Sequence, residues 1–431
     1  GSLPVLNEEA FLYSIKTALA LNCKIQDLIK FDRKNYYYPD LPKNFQISQY
    51  DMPLAYDGAV EIPSGPGRKK IRVKRVHLEE DAGKLIHPER SGYSLIDYNR
   101  GGMPLLEIVT EPDISSPEQA YDYLTKLKSI LQYLRVSDCD MEKGSLRCDA
   151  NISVRPAGAK ELGIKVELKN MNTFKGVKLA LEYESKRQVS ALEDGEKIIQ
   201  ETRLWDADRS VTTPMRSKEE AKDYRYFPEP DLVPFVVDSV VINRIRGNLP
   251  ELPEARTERF KKDYGLSDYD AGILTGSPDT ADYFESTVRL YKNAKAAANW
   301  LMGDIAAALN EKNIGITELG ISADGLAGLL RMLDAGAISG KMAKDVLRKA
   351  IETKTSPEDI VKAKGLSQVS DASKIEEAVD AVIAREVKTV NDYRAGKKTA
   401  FTFLVGQVMK ETAGKANPVM VNDILNKKLG G

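Results

Sequence analysis

Arg68-Lys69-Lys70-Ile71-Arg72-Val73-Lys74-Arg75-Val76-His77-Leu78-Glu79-Glu80-Asp81 is the stretch on which the fold of the N-terminal half turns. Successive side chains of a strand point to opposite sides, so its basic part places Arg68, Lys70, Arg72 and Lys74 on one face. A row of cations at that spacing suits phosphates. A protected edge strand rich in lysine would look the same. Around it, residues 31 to 175 carry short alternating runs broken by Pro-Asp, Asp-Gly, Gly-Pro-Gly, Gly-Gly and Pro-Ala-Gly turns, which predicts an antiparallel sheet.

Helices frame and interrupt that sheet. Asn7 caps a run in which Ala10, Phe11, Ile15, Ala18 and Leu19 share one face. Ser116, Pro117 and Gln119 supply a cap, a first-turn proline and a capping-box partner, and Ala120, Leu124, Leu127, Ile130, Leu131 and Leu134 form the buried stripe behind them. Another helix follows Thr173 and ends at Gly195. After Asn248 only helical patterns remain, starting at Leu252-Pro253-Glu254. Three domains are therefore expected: 1–247, mixed α and β; 248–320, helical; and 321–431, a helical tail, with a linker over Ile314 to Ser322.

With 431 residues, 29% charged and 42% hydrophobic, the chain has the composition of a globular protein with more than one core. A net charge of -1 restricts any nucleic-acid contact to local basic patches. Cys23, Cys139 and Cys148 form no Cys-x-x-Cys pair, which suits a reducing compartment and excludes a cysteine zinc site. No apolar run is long enough to span a bilayer and no signal pattern opens the sequence. A cytoplasmic location is expected, or an organelle matrix after processing, with no membrane partner.

Candidate chemistry sits in the sheet region. In Arg147-Cys148-Asp149-Ala150-Asn151-Ile152-Ser153-Val154 and Ile164-Lys165-Val166-Glu167-Leu168-Lys169, period two groups Arg147, Asp149, Asn151 and Ser153, and likewise Lys165, Glu167 and Lys169. The result is either a solvated sheet face or one wall of a polar site. Glu107 lies in the apolar run Met103 to Val109, where burial would demand a cation or donor partner, met by a structural ion pair or by a metal. Glu80 belongs to the acidic trio Glu79-Glu80-Asp81, either a solvated turn or a source of oxygen ligands, which favour magnesium over zinc or iron. Asp223-Tyr224-Arg225-Tyr226-Phe227-Pro228 interleaves aromatics with arginine, as a core segment or as a stacking surface for bases. No phosphate-binding glycine loop of the kinase or dinucleotide type occurs, and His77 and His87 alone leave little for a catalytic triad.

Longer strings carry a resemblance. Phe31-Asp32-Arg33-Lys34-Asn35-Tyr36-Tyr37-Tyr38-Pro39-Asp40, His77-Leu78-Glu79-Glu80-Asp81-Ala82-Gly83-Lys84, Asn99 through Val109, Gly144 through Ser153, Asp223 through Asp231, Asn299-Trp300-Leu301-Met302-Gly303 and Phe403-Leu404-Val405-Gly406-Gln407 resemble the B subunit of the aspartyl/glutamyl-tRNA amidotransferase of the GatCAB type. The match is colinear and runs through essentially the whole chain. It implies an α+β cradle with a glutamine-synthetase-like antiparallel sheet, then helical and YqeY-like tail domains, the tail holding tRNA.

The same resemblance implies that ATP phosphorylates the side-chain carboxylate of mischarged Glu-tRNA(Gln) or Asp-tRNA(Asn), and that ammonia then displaces phosphate. Mg²⁺ and ATP are the implied cofactors, and a glutaminase A subunit and a small C subunit the implied partners. Residue by residue, Glu80 and Glu107 look like metal ligands, and Lys34, Tyr36 and Glu80 like the end of the ammonia path. Arg147, Asp149, Asn151, Glu167, Lys169 and Arg225 are the candidates for holding nucleotide. The family opens with a strand containing Gly-Leu-Glu-Val-His, and this sequence starts downstream of it, which implies N-terminal truncation or a disordered start and removes part of the metal site. A catalytically silent tRNA-binding scaffold is the alternative reading. A free-standing ligase for small amino acids is a third, disfavoured by the helical tail.

Overall fold

Alternation of exposed cations with buried Ile71 and Val73 makes Gly67–Glu80 the longest strand, β6, of a computed structural model that describes residues 3–86, 88, 92–215, 223–365, 372–412 and 416–430. His87 lies outside the described residues. The chain divides into two units, Gly1–Pro253 and Glu254–Gly431.

In the first unit β6 pairs antiparallel with β5 (Ala55–Ser64) on one side and β9 (Pro104–Thr110) on the other, and β1 (Lys24–Ile25) closes the far edge in the order β1-β5-β6-β9. The β6–β9 register slips between Val73 and Arg75. A bulge of this kind re-aims the side chains that follow it. Beyond it Val76 and Leu78 point into apolar cores, so Arg75, His77 and Glu79 continue the polar face begun by Lys70 and Arg72.

A second sheet orders β14 (Phe227–Pro228), β3 (Asp32–Asn35) and β4 (Phe45–Ser48), with β4 lying against β6. The third orders β10 (Ala150–Ile152), β11 (Val166–Lys169), β12 (Thr202–Asp206) and β13 (Val211–Pro214). Its β11–β12 pair runs parallel, with helix α3 (Phe174–Glu193) crossing between them, and β12 lies beyond residues 31 to 175, for which antiparallel pairing was expected. Two small ribbons, β2 (Leu28–Ile29) with β15 (Phe235–Val236) and β7 (Lys84–Ile86) with β8 (Leu95–Asp97), complete the strands.

Alongside α3, the unit's helices are α1 (Glu8–Ala20), α2 (Pro117–Tyr133) and α4 (Ser239–Gly247). Asn7, Ser116 and Thr173 each cap as their positions suggested, accepting from Ala10, Gln119 and Gly176 amides. The Gln119 side chain reaches back to the Ser115 amide rather than to Ser116. Leu124, Leu127, Ile130 and Leu134, on and just after α2, lie with Ile15, Val60, Ile71 and Val73 in one core. Burial of each large side chain stabilises the unit by roughly 1.5–3 kcal/mol.

Among the described residues, the regular elements of the second unit are helices. Helices α5 (Pro253–Tyr264), α6 (Asp268–Leu274), α7 (Pro278–Leu290), α8 (Ala294–Trp300), α9 (Ala306–Lys312), α10 (Ala323–Asp334), α11 (Gly340–Thr353) and α12 (Pro357–Lys364) share one core from Phe260 to Ile360. A π turn, Leu301–Ile305, joins α8 to α9. Within Ile314 to Ser322, the segment read as a linker, Ile316, Leu319 and Ile321 are buried in that core. Helices α13 (Ala372–Arg385), α14 (Val387–Arg394), α15 (Thr399–Glu411) and α16 (Pro418–Leu429) surround a separate core of Ile375, Val379, Leu404, Val408 and Leu425. Among the described residues no helix is long and apolar enough to cross a membrane.

Candidate active site

Strand register decides what meets Glu107. In the β6–β9 ladder it stands directly opposite His77, on the face that also carries Glu79. His77 Nε2 lies 3.6 Å from Glu107 Oε2 and 3.6 Å from Glu79 Oε2. These three side chains are the group among the described residues whose ligating atoms all fall within 4.8 Å of one another. The separation exceeds a hydrogen bond, and His77 Nδ1 is buried with no hydrogen-bond partner.

Sheet β14-β3-β4 closes over this face. Register pairs Lys34 with Gln46 and Asp32 with Ser48, so these four residues share one side of the sheet. Ser48 Oγ donates to Glu79 Oε2 at 3.1 Å. Burial alone would raise the Glu79 carboxyl, but the adjoining His77 imidazole, the Lys34 charge and the Ser48 hydroxyl outweigh it and hold the group below the usual carboxylate range. Lys34 Nζ sits 5.0 Å from the Tyr224 ring centroid and 5.8 Å from that of Tyr36. Tyr36 donates to Gln46 Oε1 at 3.0 Å, and burial, reinforced by the Glu79 charge, pushes its phenol above the ordinary value. Tyr226 stacks on Tyr50 at 4.4 Å and 10°.

Glu80 is elsewhere. One residue along β6 reverses the side-chain direction, and the Glu80 carboxylate accepts from Lys43 Nζ and, at 2.9 Å, from the Ile47 amide. Arg33, stacked on Phe45 and paired bidentately with Glu229 at 2.7 and 2.9 Å, also departs from the Lys34 face. The structure does not bring Glu80 to Glu107 as expected: Glu107 stands with Glu79 and His77, and Glu80 with Lys43 and the Ile47 amide. Nor is Glu107 buried, since β9 is an edge strand and the side chain keeps 41% of its exposure.

The nucleotide candidates fall in two places. Arg147 joins Arg100 on Asp81, next to Glu80 in sequence. Asp149 and Lys169 pair at 2.9 Å, Lys169 also reaches Glu167 at 3.4 Å, and Asn151 stands opposite Glu167 in the β10–β11 ladder. Arg147, Asp149 and Asn151 are exposed while Cys148, Ala150 and Ile152 pack on the core, as their alternation suggested. Arg225 lies at a turn with φ 46°, its amide bound to Asp223 Oδ1. Sequence reading missed His77 and Glu79 as a pair with Glu107. Their i, i+2 spacing was the available signal, and choosing between Glu79 and Glu80 required the register.

A family model described as the GatB/GatE catalytic domain matches residues 1–243, and one described as the GatB domain matches residues 282–429. The chain is 55% identical over 432 residues to a protein of Carboxydothermus hydrogenoformans named as the B subunit of aspartyl/glutamyl-tRNA(Asn/Gln) amidotransferase, covering 100% of this chain and 90% of the relative. Proteins of the same name from Thermoanaerobacter sp. and Moorella thermoacetica are 54% and 53% identical, each at 100% and 90% coverage.

Proposed function

The chain belongs to the GatB family, and from that premise we propose that it amidates the acidic side chain of a mischarged aminoacyl-tRNA on the surface built from His77, Glu79, Glu107, Lys34 and Tyr36. The relatives' name supplies the substrate class, Glu-tRNA(Gln) and Asp-tRNA(Asn). In this reading residues 1–247 form a glutamine-synthetase-like cradle, an A subunit provides ammonia by glutamine hydrolysis, and a small C subunit completes the cytoplasmic assembly. The helical tail within 321–431 holds the body of the tRNA.

Two carboxylates and the Nε2 of one imidazole around a gap too wide for hydrogen bonds suit a divalent cation. His77, Glu79 and Glu107 would hold it, rather than Glu80 with Glu107. Held by these residues, a magnesium ion would supply positive charge to balance that of the phosphates of ATP.

In the first step an oxygen of the substrate carboxylate attacks the γ-phosphorus. The new O–P bond forms as the bond to the β–γ bridging oxygen breaks, and ADP leaves. Ammonia then attacks the activated carbonyl carbon. The C–N bond forms, the C–O bond to phosphate breaks, inorganic phosphate departs and the nitrogen loses one proton. Lys34, a cation beside Glu79, opposes the negative charge that gathers on the phosphoryl group. Tyr36 remains a neutral phenol because burial disfavours its anion, so its oxygen can accept a hydrogen bond from incoming ammonia.

The observation that carries this reading is the convergence of His77, Glu79 and Glu107 in a domain of that family. Assembled with its A and C partners, the protein should convert Glu-tRNA to Gln-tRNA with ATP, Mg²⁺ and glutamine, and Glu107→Gln should lose that activity while still binding tRNA. An active Glu107→Gln enzyme contradicts the assignment. Absence of tRNA-stimulated ATP hydrolysis in the assembled wild type favours the scaffold reading.

A further inference from the structure

Among the described arginines of the first unit, Arg75 is the one that buries a side-chain nitrogen without a partner. Arg33 pairs with Glu229, Arg72 with Asp113, Arg100 and Arg147 with Asp81, and Arg203 with Glu201. The Arg75 side chain makes no ion pair or hydrogen bond among the described residues, and its Nε is buried without a partner. A buried nitrogen of a charged group left unsatisfied costs about 1–3 kcal/mol or more, so a site that keeps one is commonly completed by something else.

Its position says what. Alternation along β6 sets Arg75 on the same face as His77 and Glu79, and the slip in register between Val73 and Arg75 takes that face off the core side held by Ile71 and Val73. Two residues along a strand is about 6.6–7 Å, so its long side chain begins one step from the carboxylate cluster. Both charges act on the Tyr226 phenol: burial and the Glu79 charge push it up to about 12, while the Arg75 charge opposes them. The guanidinium thus faces a polar site, has no counter-ion among the described residues, and presents a planar fork matched to phosphate oxygens.

We infer that Arg75 binds the terminal phosphoryl oxygens of the nucleotide, and keeps hold of that group once it is on the substrate carboxylate. The inference rests on the amidotransferase reading above and adds to it the residue that anchors the transferred phosphate. It also explains why the strand keeps an arginine there at a cost to stability.

The test measures binding of a non-hydrolysable ATP analogue, adenosine and tRNA to the assembled three-subunit protein by equilibrium dialysis. Arg75→Ala should weaken the analogue about tenfold or more, the value of a charge-assisted contact, and leave adenosine and tRNA affinities unchanged. Unchanged analogue affinity overturns the inference. If Arg75→Ala does not assemble, Arg75→Gln keeps the stem, removes the charge and is read the same way. Glu107→Gln separates the two levels. Lost amidation there with normal analogue binding by Arg75→Ala sinks the inference alone, retained amidation in Glu107→Gln sinks the site assignment it rests on, and no amidation by the assembled wild type sinks the function.

Discussion

His77 and Glu107 are cross-strand neighbours on the β6–β9 ladder, with Nε2 3.6 Å from Oε2. Because side chains alternate along β6, that single pairing brings Glu79 to the cluster and turns Glu80 toward Lys43 and the Ile47 amide.

Glu79→Gln and Glu80→Gln should therefore separate. The first should lower kcat for amidation by on the order of 100-fold, the scale of losing a ligand or charge partner at a reacting phosphate. The second should leave kcat nearly unchanged and lower unfolding free energy by about 1 kcal/mol through the weakened Ile47 and Lys43 bonds. Steady-state kinetics and urea denaturation on each variant check this, and the reverse pattern contradicts the register argument.

Glu107→Gln should cost activity without stability. The side chain is 41% exposed on an edge strand and is held by no closer protein partner than His77 among the described residues, so unfolding free energy should shift by no more than about 0.5 kcal/mol. A drop several times larger in calorimetry or denaturant titration would mark Glu107 as structural.

Acid should weaken the second unit through Glu285. Burial raises its carboxyl, but hydrogen bonds from Arg259, Arg256 and Tyr264 and the Arg256 charge bring it down to about 2 from its ordinary value of 4.5. A carboxyl depressed in the folded state stabilises it above the unfolded value and loses that contribution as pH falls toward the folded one. With partial solvent screening, on the order of 2 kcal/mol should disappear between pH 4.5 and 2. Glu285→Gln should abolish this slope in thermal melts, and an unchanged slope contradicts the assignment.

Gly58→Ala should destabilise the first unit. A Cβ at this position would lie 2.3 Å from Cys23 Sγ and 2.7 Å from the Leu21 carbonyl oxygen, and the latter is backbone that cannot swing aside. Overpacking of this kind costs about 1–3 kcal/mol. Denaturant midpoints of the two proteins compare directly, and equal midpoints mean that β5 shifts freely.

Local signals carried over well into the structure. Asn7, Ser116 and Thr173 cap helices because a short polar side chain before an apolar stripe has one good use there. The alternation from Arg147 to Ile152 sorted exposed from packed residues although only Ala150–Ile152 is regular strand. Long-range facts were not legible. Glu107 sits in an apolar run, yet its strand ends the sheet and leaves it half exposed, because edge position depends on which strands pair. Glu79 and Glu80 are chemically identical neighbours, and only the partner strand distinguishes them. Arg75 ended the basic stretch without a role, outside the row of Arg68, Lys70, Arg72 and Lys74, because the register slip that puts it on the His77 face is not written locally.

The central claim, one divalent ion shared by His77, Glu79 and Glu107, is tested most directly by anomalous scattering from manganese in crystals of the assembled protein with a non-hydrolysable ATP analogue. The account predicts a peak at coordination distance from the imidazole and both carboxylates, lost in Glu107→Gln and kept in Glu80→Gln. A peak on Glu80, or one that persists unchanged without the Glu107 carboxylate, contradicts it.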